Sequence, residues 1–311
     1  MAPTFNLNNQ LAYLRRKQAL LQTFTGLAAN EGYVLFETDD FESYESFKRI
    51  NDRVNPDDMV KVTDTGGEVL VLRPDVTTQV IDQLIPRWDG LEPLKLYYDT
   101  TVYTHSESGI EGKRQFGVEY ISTDTQASDK AMVSLATKML NETGEAYVFE
   151  IGNQRFLNAL FDSLDLSVSE LNTLKELITY KNQFELEKFI ETLALNANET
   201  SLLTNLLTLE GDLKTIEAKL EPYTLNDAMK RAVEEIRDVL PSLNGADVTV
   251  DLALLSEFDY YAGIVFRAYI PRASKAVLKG GRYAPERTQG SAIGFSVDIA
   301  PLLKGRDPLY E

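Results

Sequence analysis

Two carboxylates, a hydroxyl and an amide are the side chains whose types and places suit binding chemistry. Asp75 and Thr77 stand in LRPDVTTQV (72–80), and Gln115 and Glu119 stand in RQFGVEYI (114–121). Such groups on strand-and-turn segments fit a pocket for a free amino acid, because an ammonium group needs acceptors. Taken singly, each reads more readily as a structural residue than as a functional one, and Glu119 reads as a carboxylate closed in a hydrogen-bond network. The chain has no cysteine and a single histidine, His105. That count removes disulfides and the usual thiolate or imidazole zinc sites, leaving only an oxygen-ligated Mg²⁺ open, so no metal and no cofactor is expected. His105 has the chemistry of a general base, yet its neighbours place it on a polar loop over 105–114, where it reads as solvated.

The elements that must position these groups follow from periodicity. Leu11, Leu14, Leu21, Phe24 and Leu27 fall at spacings of three and seven, which predicts an amphipathic helix over 9–30 that Gly32 stops. β-branched and aromatic runs predict strands at 33–36, 60–63, 68–72, 94–103, 115–122, 147–151, 248–252, 263–269 and 292–297. A helix is expected over 129–143. Leucine, glutamate and lysine at helical spacing fill 155–240, interrupted at 196–198 and at Pro222. Gly280 and Gly281 read as a turn with positive φ, Arg73 as a surface residue on an edge strand, and one of Tyr260 and Tyr261 as packing. The layout is α+β: an antiparallel sheet with helices inserted between its halves.

Composition narrows the partners. With 311 residues, 43% of them hydrophobic, the chain can bury a substantial core. A net charge of -17 has the wrong sign for holding a polyanion, so nucleic acid is not expected as a partner. No run approaches a membrane span and the first residues lack a secretory pattern, so a soluble cytoplasmic chain is expected.

Four segments then carry a family resemblance by their order and spacing. LRPDVTTQV (72–80), RQFGVEYI (114–121), FDYYAGIVFRAY (258–269) and KGGRYAPE (279–286), the last followed by SAIGFSVDIAPLL (291–303), resemble the LRPEGT, QFGVE, LDYY, GGRYDGL and GFAxGxER segments of histidyl-tRNA synthetase. The resemblance covers about 11–303 and gives no match for 163–243. It implies a class II aminoacyl-tRNA synthetase-like antiparallel sheet flanked by helices, formed by 1–162 and 244–311. It also implies a mainly helical insertion over 163–243 and no C-terminal anticodon-binding domain. It further implies that Asp75, Thr77, Gln115 and Glu119, joined by Tyr261 and Tyr283, form a histidine-binding pocket.

The departures from that pattern matter as much. Aminoacyl-adenylate formation uses arginines, whose planar guanidinium grips phosphates and carboxylates bidentately. The three positions that carry them in the synthetase hold Thr104, Ser256 and Pro301 here. Losing one such donor costs about 100- to 1,000-fold in rate, so aminoacylation is not expected and no catalytic residues are assigned. A chain that keeps a histidine pocket and drops the chemistry resembles the regulatory subunits of ATP phosphoribosyltransferase, the first enzyme of histidine biosynthesis. That resemblance implies a catalytic subunit as partner, which joins ATP to phosphoribosyl pyrophosphate, and L-histidine as feedback effector. It also implies a self-dimer within a hetero-octamer, although Asp39 stands where the class II dimerisation motif carries proline. Two other readings stay open: a degenerate enzyme that forms histidyl-adenylate or transfers histidine, and a tRNA-sensing module.

Overall fold

The computed structural model describes residues 7–51, 55–106, 109–243, 245–256, 261–283 and 290–303. The chain opens with helix α1 (Leu7–Asn30), which buries Phe24 and Ala28. Gly32, at φ +83, ends it, and the Tyr33 N–H turns back to the Ala28 carbonyl at 3.1 Å. Strand β1 (Val34–Leu35) follows, then a small antiparallel sheet of β2 (Phe41–Ser43), β3 (Lys61–Thr63) and β4 (Val69–Leu72), with helix α2 (Tyr44–Ile50) after β2. The turn before β4 is closed by the Asp64 carboxylate, which accepts from the N–H groups of Gly66 and Glu68, with Gly67 at φ +86. A short helix α3 (Thr77–Gln79) leads to the long strands β5 (Leu94–Ser106) and β6 (Gly109–Ser122). Helix α4 (Thr125–Glu142), strand β7 (Val148–Asn153) and helix α5 (Gln154–Phe161) come next.

Helices α6 (Val168–Thr179), α7 (Gln183–Ile190), α8 (Ala197–Asn205), α9 (Leu213–Leu220) and α10 (Asp227–Val239) carry the chain to β9 (Asp247–Asp251). A two-residue strand, β8 (Glu210–Gly211), pairs with β9 on the way. The described chain ends with β10 (Tyr261–Tyr269), β11 (Leu278–Tyr283), β12 (Ser291–Asp298) and α11 (Ile299–Leu303). The nine-stranded sheet runs β1-β5-β6-β12-β11-β10-β7-β9-β8. Its six inner strands, from β5 to β7, are antiparallel; β1 joins β5, and β9 joins β7, in parallel.

One face of the sheet is apolar and covered. Phe116, Phe149, Ile151, Phe266 and Phe295 pack there against α4, α5 and α10, in a cluster that continues through Leu174, Leu186, Leu203 and Ile216 of the helices between β7 and β9. Each fully buried side chain of this size is worth about 1.5–3 kcal/mol, so this face holds the fold together. Asn196 marks the start of α8, where its side chain and Glu199 form a capping box.

Four expectations change. Residues 105–106 and 109–114 are strand rather than loop: β5 and β6 pair out to Ser106 and Gly109, and His105 stands on β5 opposite Ile110. Its polar residues reflect a two-stranded ribbon running beyond the covered part of the sheet, wet on both sides. Gly280 and Gly281 lie inside β11 rather than in a turn, and neither has positive φ. They are needed for close approach: a Cβ on Gly280 would sit 2.5 Å from the Gly294 carbonyl oxygen, and one on Gly281 would sit 2.8 Å from the Tyr261 ring. Arg73 is buried, not a surface residue, and its guanidinium donates to the carbonyls of Thr38, Asp39 and Thr101, locking β4 to the main sheet. Helix α4 begins earlier than periodicity suggests because Asp124 caps it by accepting from the Ala127 N–H at 3.0 Å. Tyr260, with residues 258–259 and 284–286 of the family-like segments, lies outside the described residues.

Candidate functional site

The second face of the sheet is polar, and strand register arranges it in rows. Glu119 of β6 stands opposite Gly294 of β12, which stands opposite Gly281 of β11. One row on, Ile121, Ala292, Tyr283 and Tyr261 align across β6, β12, β11 and β10. On the other side of the Glu119 row, Tyr98, Gly117, Ser296 and Lys279 align. Directly opposed residues share a face, so glycines make the floor and the tyrosines and acids stand up from it. The glycines are required. A Cβ on Gly294 would fall 1.9 Å from Glu119 Oε2, and one on Gly117 would fall 2.0 Å from Tyr98 Cζ.

Above this floor lies a cavity of about 180 Å³. Asp75, Thr77, Gln115, Tyr261 and Tyr283 line it, together with Tyr98, Thr104, Lys113, Lys279 and Asp298. Glu119 is not part of the lining; 1% exposed, it lies behind Thr77 and Tyr283. Thr77 Oγ1 donates to Glu119 Oε1 at 2.9 Å, and the Tyr283 hydroxyl donates to Oε2 at 2.9 Å. Burial pushes the Glu119 carboxyl up to about 8; the two hydroxyls pull it part of the way back, and nearby Asp75 adds to the rise. Asp75 is held at the end of α3, its Oδ2 accepting from the Thr78 N–H and Oγ1, both at 2.9 Å. Thr78 Oγ1 in turn accepts from Asn51 Nδ2 at 2.8 Å. Burial raises the Asp75 carboxyl too, against the hydrogen bonds that stabilise its charge. Gln115 Nε2 donates to Asp298 Oδ1 at 2.9 Å across β6 and β12. Burial also raises the Tyr283 and Tyr98 hydroxyls well above the usual phenol range, and Glu119 adds to both, so both stay neutral donors.

Five of the six expected site residues therefore line one space, and Glu119 joins them through its hydrogen bonds to Thr77 and Tyr283. Tyr98, Lys279 and Asp298 were not singled out from sequence. The signal for Tyr98 was Gly117 within the QFGVE-like segment, a glycine that a large ring opposite requires. Of the three positions that lack arginine, Thr104 lines the cavity and Ser256 lines a smaller one of about 50 Å³ beside it. Pro301 lies on α11, where its carbonyl accepts from Arg272. Asp39, at the position of the dimerisation proline, donates its backbone N–H to Gln79 Oε1 at 3.0 Å, a bond that proline lacks.

Carboxylates, hydroxyls and an amide around a space smaller than the about 300–1,000 Å³ of drug-sized pockets can hold a small ligand rich in N–H donors. Among the described residues no group of three or more acids or histidines suits a metal ion, and no helix is long and apolar enough to cross a membrane.

The model of the histidyl-tRNA synthetase family matches residues 10–302. The chain belongs to that family. Within it, the chain is 30% identical to the ATP phosphoribosyltransferase regulatory subunit of Clostridium kluyveri, over 88% of this chain and 74% of that one. It is 26% identical to the regulatory subunit of Oceanobacillus iheyensis, over 96% of this chain and 77% of its relative. A solved structure from Bacillus halodurans, described as an ATP phosphoribosyltransferase regulatory subunit/histidyl-tRNA synthetase, superposes with a TM-score of 0.83 at 26% identity. It covers all of this chain and 82% of its own. The chain is thus a family member of the regulatory-subunit branch, with the class II synthetase-like fold expected from its motifs.

Proposed function

We propose that this chain is the regulatory subunit of ATP phosphoribosyltransferase in histidine biosynthesis. It activates a separate catalytic subunit and carries feedback inhibition by L-histidine, which binds in the cavity over the central sheet. The observation that carries this reading is the pairing of a kept acidic floor with lost arginines. Glu119, held by Thr77 and Tyr283, offers an acceptor suited to an imidazole N–H, while Thr104 and Ser256 put hydroxyls where adenylate chemistry needs guanidinium groups. Asp75 and Gln115 supply acceptors for the ammonium group, and Tyr98 and Tyr261 wall the ring. The chain has no catalytic residues of its own and acts in the cytoplasm, as a self-dimer within a hetero-octamer. Regulation is linkage: histidine binds one state of the complex more tightly than another, with a coupling of about 1–3 kcal/mol.

Calorimetric titration of L-histidine into the chain, alone and with the catalytic subunit, tests this. The expected result is binding by the native chain and a loss of about 100-fold in a Glu119→Gln variant. No binding in either setting would sink the sensor reading.

A further inference from the structure

An amino acid is a zwitterion, so a cavity of acids and hydroxyls satisfies only half of it. Its carboxylate needs a cationic donor. The position that carries arginine in the synthetase is Ser256 here, and a serine hydroxyl brings no charge. Among the described residues lining the main cavity, the cations are Lys113 and Lys279. They differ in what else they border. Lys279 also lines the smaller cavity, together with Ser256, Leu254, Tyr261 and Arg267, so it faces the space beside Ser256. Lys113, on β6 opposite Val102, does not.

The sheet sets Lys279 at the border of both cavities. On β11 it shares a face with Gly281 and Tyr283, two and four residues on. Its Cα is about 13 Å from that of Tyr283 at the usual strand rise, and between them stands Gly281, over which the Tyr261 ring packs. Along its row, Ser296 of β12 and Gly117 of β6 stand on one side, with the Tyr98 ring over Gly117, and Arg267 of β10, paired with Glu150, stands on the other.

We infer that Lys279 holds the carboxylate of the amino-acid effector, taking the role that Ser256 cannot fill. This rests on the reading that the cavity holds an amino acid. The exchange has a chemical consequence: an ammonium on a flexible stem is a point charge that suits one carboxylate, whereas an arginine fork also grips phosphates bidentately. Moving the charge from a guanidinium to Lys279 keeps the amino acid and weakens the hold on a nucleotide.

The test compares L-histidine with histamine, which lacks the carboxylate, on the full chain assembled with its catalytic subunit. Binding of both is measured for the native chain and for the variants Lys279→Met, Lys279→Arg and Lys113→Met. The native chain should prefer histidine over histamine by about 10- to 100-fold, the span of a charge-assisted hydrogen bond. Lys279→Met should erase that preference while leaving histamine affinity within about threefold. Lys279→Arg should restore part of it, and Lys113→Met should leave it intact. A preference that survives in Lys279→Met, or a variant that weakens both ligands equally, overturns the assignment while the pocket stands. Native protein that binds neither ligand removes the pocket and the lysine's role together.

Discussion

Two buried polar clusters sit back to back on the central sheet, one residue apart in sequence. Arg282 points to the covered face, where its guanidinium donates to both Asp129 Oδ1 and Ser128 Oγ, to the Thr125 carbonyl and to Ser291 Oγ. Burial lifts the Asp129 carboxyl and the arginine pulls it back down. Tyr283 points to the other face and donates to Glu119, whose hydrogen bonds among the described residues come from hydroxyls. The first cluster carries its own countercharge and is closed. The second sets Asp75 and Asp298 in the lining of a cavity, with Glu119 behind it. A buried acid matched by a cation in direct contact serves the fold; Glu119, buried and held among the described residues by neutral hydroxyls, leaves N–H groups and charge for a ligand to bring.

The comparison can be broken at several points. The largest effect is expected at Arg282→Met, which leaves Asp129 buried without its partner. Denaturant unfolding should show a loss of about 3–5 kcal/mol. Glu119→Gln should do the reverse: histidine affinity falls about 100-fold, the scale of a lost charged hydrogen bond, while unfolding free energy holds or rises because a costly buried carboxyl is gone. If Glu119→Gln instead unfolds the chain as Arg282→Met does, both clusters are structural and the contrast fails. Gly294→Ala sharpens the geometry, since its methyl would occupy the place of Glu119 Oε2. It should cost about 1–3 kcal/mol of overpacking and weaken histidine binding through the displaced carboxylate.

The last effect is in pH dependence. Folding raises Glu119 and Glu42 to about 8, so from the usual carboxylate range near about 4.3 up to about 8 the native chain binds more protons than the unfolded one. Stability of the ligand-free chain therefore falls as pH rises through that window, by up to about 1.4 kcal/mol per pH unit for each group. Glu119→Gln should flatten this slope without abolishing it, because Glu42 and Asp75 remain, and thermal melts from pH 5 to pH 8 would read the difference.

Much of this site was legible because motifs carry side-chain types at fixed strand positions. Alternation alone puts Gln115, Gly117 and Glu119 on one face of β6, and the family-like order of segments brings Asp75 and Thr77 to them. What escaped was the reason for the glycines. Gly280 and Gly281 read as a turn because glycine's freedom is a local property, whereas the close approach of Gly294 and Tyr261 is a tertiary one. Arg73 escaped for the same reason: its partners lie on segments around Thr38 and Thr101, distant in sequence. Lys279 escaped because nothing in KGGRY distinguishes a lysine over a cavity from one in water; only the register of β11 against β12 does.

The most direct measurement is the histidine inhibition curve of reconstituted ATP phosphoribosyltransferase, with the native chain and with Glu119→Gln. A midpoint shifted to about 100-fold higher histidine in the variant is the expected result. Inhibition by histidine at the same concentration with either chain would place the effector elsewhere and contradict the sensor cavity.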